Sequence, residues 1–395
     1  MRCLSDGSGE ATAPFRDFAC PGFELSNYRN GEHWKSITQK LDQLESSDFL
    51  GSTLSHVEYE GISIPQLNGE PSLLFYGLTA DVRYNGAATA LQERLKDQRN
   101  WLLLQAVSGA GKTRAILDVF ANSDLEKTLL YFDLSALTRE GRIPTKNFYQ
   151  FDVSSLGAHL GALKMDREKT KKYFEALVAA RHMVVHYLRK KGWNSESLLF
   201  AQLGLHRQSG ICEASNLVFN ELADKGTLLD YRTLLADSIV AIDESNVALD
   251  SSLGQFASST KGSQARPLLC CIGDALAGWA CVFSGTSFSH DQFDNAVISN
   301  VAGASTPRFC PMTKMDSAMN VKAMMERFSI DTRNIPSDTL ELLTGRCCLV
   351  ARAITGIIQS AQTTPAPQTN AVILKSIQEV HRDRKRMGRQ VFCLG

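Results

Sequence analysis

The sequence has no excess of charge of either sign. Its 395 residues contain 42 Lys and Arg against 42 Asp and Glu, so the formal net charge is zero. A neutral chain has no overall field that would draw it onto nucleic acid or an anionic membrane, so any such contact requires a local patch. With 44% hydrophobic residues, the composition also excludes a largely disordered chain. The length allows about two or three domains.

The sequence also lacks paired cysteines and long apolar runs. None of its ten cysteines forms a C-x-x-C pair, and Cys270, Cys271 and Cys281 lie within apolar stretches, which is typical of buried, reduced thiols. The most apolar stretch, 268–283, contains Asp274 and is shorter than the ~20 residues of a membrane-spanning helix. The first residues lack the apolar core of a secretory signal. We therefore expect an intracellular protein of the cytoplasm or nucleus, with no membrane contact.

Composition and periodicity divide the chain into four parts. These are a polar, turn-rich segment at 1–65, an α/β core at 66–310, a helical lid at 311–362, and a linker with a basic helix at 363–395. In the core, apolar runs of strand length alternate with helical patterns, which predicts a parallel sheet flanked by helices. The interval 143–235 is mostly helical in pattern and predicts a helical insertion into this core.

The sequence pattern predicts the residue ranges of individual strands and helices within these parts. The predicted strands are 101–107, 128–134, 239–242 and 279–283. The predicted helices are 86–97, 322–328, one capped by Ser337, 349–358 and 372–385, together with a weak helical pattern on Trp34, Ile37, Leu41 and Leu44.

A glycine-rich loop follows the predicted strand at 101–107. Residues 106–113 are Ala-Val-Ser-Gly-Ala-Gly-Lys-Thr and match the nucleotide-loop pattern G-x-x-x-x-G-K-[ST], except that alanine replaces the first glycine. In this pattern backbone N–H groups converge on phosphate oxygens without an intervening Cβ, and the dipole of the following helix favours the anion. The strand before the loop and the helix after it favour nucleotide binding over a glycine turn that arose by chance.

Two residues of the loop, Lys112 and Thr113, have specific expected roles. Lys112 supplies a point charge for the β- and γ-phosphates, and the hydroxyl of Thr113 is a candidate ligand of Mg²⁺. The candidate nucleotide-binding residues are Ser108, Gly109, Ala110, Gly111, Lys112, Thr113 and Arg114. We therefore expect ATP and Mg²⁺ as ligands of this loop.

Two carboxylates end the predicted strand at 239–242. A buried strand brings Asp243 to the edge of the sheet beside the loop, where its carboxylate can hold Mg²⁺ through water. Glu244, directly after it, is placed to orient and polarise a water in line with the γ-phosphate, which suits hydrolysis. The alternative is a strand that simply ends in an acidic turn.

The order of these motifs resembles a known superfamily. The glycine loop, the acidic strand, a strand ending in hydroxyl residues (FSGTS, 283–287) and a helical C-terminal part resemble the P-loop ATPases of the AAA+ and STAND superfamily. More narrowly, SGAGKT, TLLYFDL, AIDES, FSGTS and LTGR are similar to the ATPase module of Crinkler-type and retrotransposon-hot-spot-type proteins. The resemblance implies a P-loop NTPase core with a helical lid.

The resemblance also implies two further site residues. A polar side chain at the tip of the strand between the loop strand and the acidic strand would touch the γ-phosphate and the attacking water. Thr286 is the first candidate and Ser284 the second, although both types are also common turn formers. The lid often carries an arginine three residues after a glycine, where this chain has Cys348. Arg346 is either its substitute or a surface residue at a helix start.

Partners are the least defined part of the prediction. Arg308 and Arg327 are candidate arginine fingers toward a neighbouring subunit in a homo-oligomer. The basic residues of 382–389 form either a nuclear-import or nucleic-acid patch or an ordinary solvated helix end. Crinkler-type chains usually carry a ubiquitin-like header and often a nuclease domain, and neither is evident here.

Three functions follow from these observations. The first is ATP hydrolysis with Mg²⁺ that drives or gates a conformational change in a complex with a protein client. The second is a nucleotide-dependent switch, alternating between ATP and ADP with little turnover. The third is an effector associated with nucleic acid or the nucleus, in which the ATPase only supports partner binding.

Overall fold

The computed structural model describes most of the chain in separate stretches. They are 23–46, 54–67, 69–78, 86–96, 101–106, 109–122, 127–137, 150–162, 166–204, 210–225, 228–249, 267–286, 293, 308–310, 312, 315–363 and 370–392. Side chains are described for most of these residues but not for 384–392. Helices and strands are named below in chain order.

The described chain contains eight strands and a larger number of helices. The strands are β1 (His56–Tyr59), β2 (Ile62–Leu67), β3 (Glu70–Pro71), β4 (Trp101–Gln105), β5 (Thr128–Asp133), β6 (Ser238–Asp243), β7 (Cys281–Gly285) and β8 (Arg308–Phe309). The helices before β6 are α1 (Leu25–Arg29), α2 (Glu32–Leu41), α3 (Gly86–Leu95), α4 (Lys112–Ala121), α5 (Phe151–Ala162), α6 (Arg167–Lys190), α7 (Ser195–Leu203), α8 (Gly210–Ala223) and α9 (Tyr231–Ala236). Those after β6 are α10 (Leu268–Leu276), α11 (Ala318–Glu326), α12 (Ser337–Glu341), α13 (Cys347–Thr363) and α14 (Asn370–Phe392).

The larger sheet has five parallel strands in the order β5-β6-β7-β4-β8. Strand β7 therefore lies between the loop strand β4 and the acidic strand β6, as the resemblance implies. Asp133 pairs in register with Asp243, and Gln105 with Gly285, so the carboxyl ends of these strands meet at one edge. Strands β5, β6 and β7 are buried along their whole length, which explains their continuous apolar runs.

Helices cover the faces and the β5 side of this sheet. The predicted insertion contains α5 to α9, and its longest helix, α6, begins at Asp166, whose side chain accepts a hydrogen bond from the Lys169 N–H. Helix α6 packs on α8, α10 and β5. These contacts bury it on all sides from Tyr173 to Val185. The described residues thus confirm an α/β architecture with a helical insertion.

A second hydrophobic core lies under the C-terminal helices. Antiparallel strands β1, β2 and β3 form a small sheet whose Val57, Tyr59 and Ile64 pack in this core with residues of α11 to α14. The boundary expected after residue 65 therefore falls inside β2. The first half of α14 packs against α13 in the same core, so it is continuous with the lid rather than separate from it. A membrane-spanning helix was not found among the described residues.

Two predicted elements differ in detail. The strand expected at 279–283 is Cys281–Gly285, because Gly278 takes a left-handed backbone (φ +85°) and Trp279 closes a turn onto Leu276. Ser337 is the first helical residue of α12 and not its cap, since Pro336 holds the capping position. The cysteines of α10 and β7 are buried as expected, and burial raises the pKa of the Cys271 and Cys281 thiols.

Candidate nucleotide site at the carboxyl edge of the sheet

The glycine loop joins β4 to α4 at this edge. Gly109 (φ +77°) and Gly111 (φ +92°) both take the left-handed conformation, which explains glycine at these two positions. Helix α4 begins directly afterwards at Lys112, so its N-terminus faces the loop. Ala110 lies between the two glycines and is partly buried, whereas Ser108 is outside the described residues. This is the backbone arrangement that an anion requires of such a loop.

Lys112 points back across the loop. Its Nζ donates to the carbonyl oxygen of Ala106 at 2.9 Å, and the residue is only 6% exposed. Burial lowers the pKa of Lys112, while the negative charges of Glu244 and Asp243 act in the opposite direction. Lys112 is therefore a buried cation at the start of α4 that lies within the field of two carboxylates, and its role toward a phosphate stays a prediction.

Asp243 is the centre of the site. Its Oδ2 accepts hydrogen bonds from Thr113 Oγ1 at 2.6 Å and from the Tyr131 hydroxyl at 2.9 Å. Its Oδ1 accepts from Ser284 Oγ at 2.6 Å and from the Glu244 N–H at 3.0 Å. A carboxylate offers about four acceptor positions, so four donors on its two oxygens hold the group in one orientation.

Glu244 has an unusual backbone. It is a non-glycine residue with φ +50°, directly after the last residue of β6. Such a conformation is uncommon for a residue with a Cβ and clusters at functional sites, where the surroundings hold it in place. Here the Glu244 N–H is bound by Asp243 Oδ1 and its carbonyl accepts from Val247. The turn directs the chain away from the strand and leaves the partly buried Glu244 next to Asp243.

The two hydroxyl candidates end β7 in different environments. Ser284 is fully buried, and its hydroxyl is turned to Asp243. Thr286 is partly buried, and its backbone N–H donates to Asn246 Oδ1 at 3.0 Å. The Ser245 hydroxyl donates to the carbonyl oxygen of Ser284 at 2.7 Å, which also ties the turn after β6 to the end of β7. Both candidates lie at the predicted edge, and their roles toward a nucleotide stay predictions.

The donor set suits Mg²⁺. Thr113 and Asp243 bring a hydroxyl and a carboxylate oxygen to 2.6 Å from each other, although they lie on different elements of the fold. Mg²⁺ prefers hard oxygen ligands, usually one or two carboxylates together with substrate phosphates and water. Thr113 and Asp243 would hold the ion, and Ser284 and Tyr131 would orient the carboxylate.

Arg114 has partners other than a phosphate. Its guanidinium pairs with Asp118 at 2.8 Å on the next turn of α4. It also donates to three backbone carbonyl oxygens in the segment 73–78, namely those of Leu73, Leu74 and Tyr76, at 2.7–3.0 Å. These contacts make Arg114 an anchor of that segment, and its expected role in nucleotide binding stays a prediction.

The segment held by Arg114 joins the two hydrophobic cores. Phe75 packs in the core of the large sheet, 5.6 Å from the ring of Phe200. The neighbouring Tyr76 lies 4.8 Å from the ring of Phe328 in the core of the C-terminal helices. The helix that follows the glycine loop is therefore fastened to the chain segment that bridges core and lid.

The lid also touches the loop directly. The N–H of Cys348, in the first turn of α13, donates to the carbonyl oxygen of Gly109 at 2.9 Å. The Cys348 thiol lies against the Cα of Gly109, in the space that a Cβ there would need. Arg346, two residues earlier, is exposed beside this contact. The position where the sequence resemblance places a lid arginine is thus occupied by a cysteine in contact with the loop.

Two residues of the site were not predicted from the sequence. Tyr131 and Asp133 both lie on β5, and Asp133 ends it in register with Asp243. Burial, with the nearby charge of Asp243, raises the pKa of Asp133 to about 6. The available signal was an aspartate at the end of the apolar run TLLYFD, the same pattern that marks Asp243 at the end of SIVAID.

Among known proteins, similarity to this chain was found in a solved structure and not in the sequence comparisons. No protein-family model matches the sequence, and no curated protein matches it either. A solved structure similar to this chain is the Walker-type ATPase PABY2304 of Pyrococcus abyssi, with a TM-score of 0.43 and 14% sequence identity over 78% of this chain and 74% of that one. The residues described above, not this likeness, carry the functional proposal.

The fold predicted from the sequence is confirmed. The chain has an α/β fold with a parallel sheet flanked by helices, in which the glycine loop follows β4, the acidic residues end β6, and β7 lies between these two strands. The helical insertion and the helical C-terminal part are present among the described residues.

Proposed function

We propose that the protein binds ATP with Mg²⁺ at the carboxyl edge of the large sheet and hydrolyses it. The observation that carries this proposal is the 2.6 Å hydrogen bond between Thr113 of the glycine loop and Asp243 of the acidic strand. It joins the glycine loop to the carboxylate that ends the acidic strand, 130 positions further along the chain. That pairing serves a nucleoside triphosphate with its cation and has no evident use in a simple turn.

Each residue has a defined task in this proposal. Backbone N–H groups of the loop hold the phosphates, and Lys112 exchanges its bond to Ala106 for the β- and γ-phosphates. Thr113 and Asp243 would hold Mg²⁺, and the bound ion would neutralise phosphate charge. Glu244 accepts the proton of the attacking water, whose oxygen bonds to the γ-phosphorus as the bond to the β–γ bridging oxygen breaks. The products are ADP and inorganic phosphate.

Thr286 and Arg346 are assigned to the γ-phosphate. Thr286 lies at the tip of the strand between β4 and β6, the expected place of a side chain that detects the γ-phosphate. Arg346 is an exposed residue two positions before Cys348. In this proposal it supplies the positive charge of the lid that the cysteine cannot supply. The buried Ser284 acts through Asp243 instead.

Phosphate release and nucleotide binding test the proposal. We expect slow, Mg²⁺-dependent phosphate release that Lys112→Ala abolishes together with binding of a fluorescent ATP analogue. Glu244→Gln should suppress release while the analogue still binds. Unchanged hydrolysis in Glu244→Gln would refute the role of that residue, and a wild-type protein that binds no nucleotide would refute the proposal as a whole.

The contact between Cys348 and Gly109 supports a second candidate, a nucleotide-dependent switch. Because the lid binds the backbone of the loop, nucleotide in the loop can change the position of the lid, and turnover need not be fast. A single burst of phosphate release followed by tightly retained ADP favours the switch. Continuous turnover favours the ATPase that drives a conformational change in a protein client.

Assembly and nucleic-acid binding are separate parts of the proposal. Mass measurement with ATP, with ADP and without nucleotide tests whether a homo-oligomer forms with the triphosphate. Helix α14 extends through the basic residues 382–389, of which the side chains of 384–389 lie outside the described part. Deleting 381–395 should reduce DNA affinity and nuclear accumulation if these residues bind a phosphate backbone.

A further inference from the structure

Tyr131 makes a contact to the candidate metal carboxylate that no motif predicts. Its hydroxyl donates to Asp243 Oδ2 at 2.9 Å, the same oxygen that accepts from Thr113. Tyr131 lies in the middle of β5, the strand next to β6, and is completely buried. A hydroxyl facing a carboxylate in this way can only donate, because the carboxylate has no proton to offer.

Strand β5 is at the edge of the large sheet, and its outer side is bound by side chains of the helical insertion. Gln202 Oε1 accepts from the Tyr131 N–H at 3.1 Å. The Tyr131 carbonyl oxygen accepts from Gln150 Nε2 at 3.2 Å and from Arg181 Nη1 at 2.8 Å. These side chains take the place of a further strand, so the backbone of Tyr131 is held on the side away from β6.

The anchor of this arrangement is a buried ion pair. Arg181 Nε and Nη2 donate to the two oxygens of Asp152 at 2.7 and 2.5 Å, and both side chains are fully buried. The guanidinium also lies 4.8 Å from the centre of the Phe132 ring. A bidentate pair with fixed geometry restricts the position of the group that binds the Tyr131 carbonyl.

We infer that Tyr131 is a positioning residue, through which the helical insertion fixes the orientation of Asp243 toward Mg²⁺ and nucleotide. This inference rests on the function proposed above. In the proposed function the Thr113 oxygen is also the candidate ligand of Mg²⁺. Tyr131 is buried and is not a candidate ligand, so its hydroxyl can stay bound to Asp243 Oδ2 with and without the ion.

The test removes one oxygen atom. Tyr131→Phe keeps the ring and loses only the hydroxyl. The matched control is Tyr231→Phe, because Tyr231 is also buried and its hydroxyl has no hydrogen-bond partner among the described residues. Thermal unfolding of both variants shows whether each remains folded.

Metal binding is the first measurement. Binding of Mn²⁺ in the presence of a slowly hydrolysed ATP analogue is followed by electron paramagnetic resonance, which does not depend on turnover. We expect the Mn²⁺ dissociation constant to rise about tenfold in Tyr131→Phe, as for other groups that orient a metal ligand. The Mg²⁺ concentration for half-maximal phosphate release should rise in parallel, while nucleotide affinity in EDTA stays within about twofold of wild type.

The outcomes separate the inference from the function on which it rests. If wild type binds and hydrolyses ATP but Tyr131→Phe has the metal dependence of Tyr231→Phe, the inference is wrong and the proposed function stands. If wild type binds no nucleotide, both are wrong.

A second variant covers the case that Tyr131→Phe does not fold. Gln202→Met removes the anchor on the Tyr131 N–H and should shift metal dependence in the same direction. A wild-type metal dependence in this variant, with Tyr131→Phe unfolded, would overturn the inference as well.

Discussion

Cys348 of the lid binds the carbonyl oxygen of Gly109 through its backbone N–H, at 2.9 Å, and its thiol lies against the Cα of that glycine. The glycine loop is therefore in contact with the first turn of α13 as well as with its own strand and helix. This contact gives Gly109 a packing role beside its conformational one.

Gly109→Ala separates these two roles. The new Cβ meets the Cys348 thiol and Cβ, and the left-handed backbone disfavours alanine in addition. Gly278→Ala is the matched control, because it has a similar φ of +85° and open space around the position. We expect the control to lose about 1–2 kcal/mol of unfolding free energy from the backbone effect alone. Gly109→Ala should lose more and should also weaken nucleotide binding, as measured by urea unfolding and by titration of a fluorescent ATP analogue.

Arg114 and Arg346 are expected to behave in opposite ways. Arg114 binds Asp118 and three backbone carbonyls. Arg114→Ala should therefore lower the free energy of unfolding by about 2–3 kcal/mol, which is the upper part of the range for losing a hydrogen bond to a charged group. Its nucleotide affinity should change little. Arg346 is exposed, and Arg346→Ala should lower hydrolysis with little change in stability. A large loss of ATP affinity in a still-folded Arg114→Ala protein would show that Arg114 takes part in nucleotide binding.

Ser284 and Thr286 can be told apart by metal dependence. Ser284→Ala removes a donor to Asp243 Oδ1 and should raise the Mg²⁺ concentration needed for hydrolysis, by about tenfold as for other groups that orient a metal ligand. Thr286→Val keeps the backbone N–H that binds Asn246 and should lower the rate constant at saturating Mg²⁺. Equal Mg²⁺ profiles for the two variants would contradict this division of roles.

Asp133 should make stability depend on pH in the acid range. Its pKa in the folded protein is about 6, against the ordinary value of 3.8 for an aspartate, so the folded state binds the proton more tightly than the unfolded state. Stability contributed by this group is therefore present below about pH 4 and is lost as the pH rises to about 6, with a total change of about 3 kcal/mol.

Asp133→Asn removes this titration and keeps an oxygen for the Ser135 N–H, which Asp133 binds at 2.9 Å. The unfolding free energy of the variant minus that of wild type should therefore rise between about pH 4 and 6. Urea unfolding of both proteins in EDTA at matched pH values measures the difference. A difference that is constant with pH would show that Asp133 titrates normally.

Some features of this site follow from local sequence. The glycine loop is a contiguous motif, and its demand for left-handed residues at Gly109 and Gly111 is met within the loop itself. Asp243 and Glu244 end an apolar run, and a buried strand that ends in a carboxylate places it at the edge of a parallel sheet wherever the strand lies. Residue types and their spacing were sufficient for these assignments.

Other features depended on which elements become neighbours. Tyr131 lies 112 positions before Asp243 and reaches it only because β5 and β6 are adjacent. Arg114 looks like a loop residue in the sequence, yet its partners are carbonyl groups about 40 positions away. A backbone carbonyl has no side-chain signature, so no sequence pattern marks it as an acceptor.

The sequence by itself determined the α/β fold class, the glycine loop and the acidic strand, because each depends on a short pattern and on local backbone conformation. Only the tertiary structure decided that Asp243 is oriented by residues of three other elements, that Cys348 closes onto Gly109, and that Arg114 is an anchor. These contacts join residues far apart in the chain, and their formation depends on strand order and helix docking, which the packing of the whole core sets.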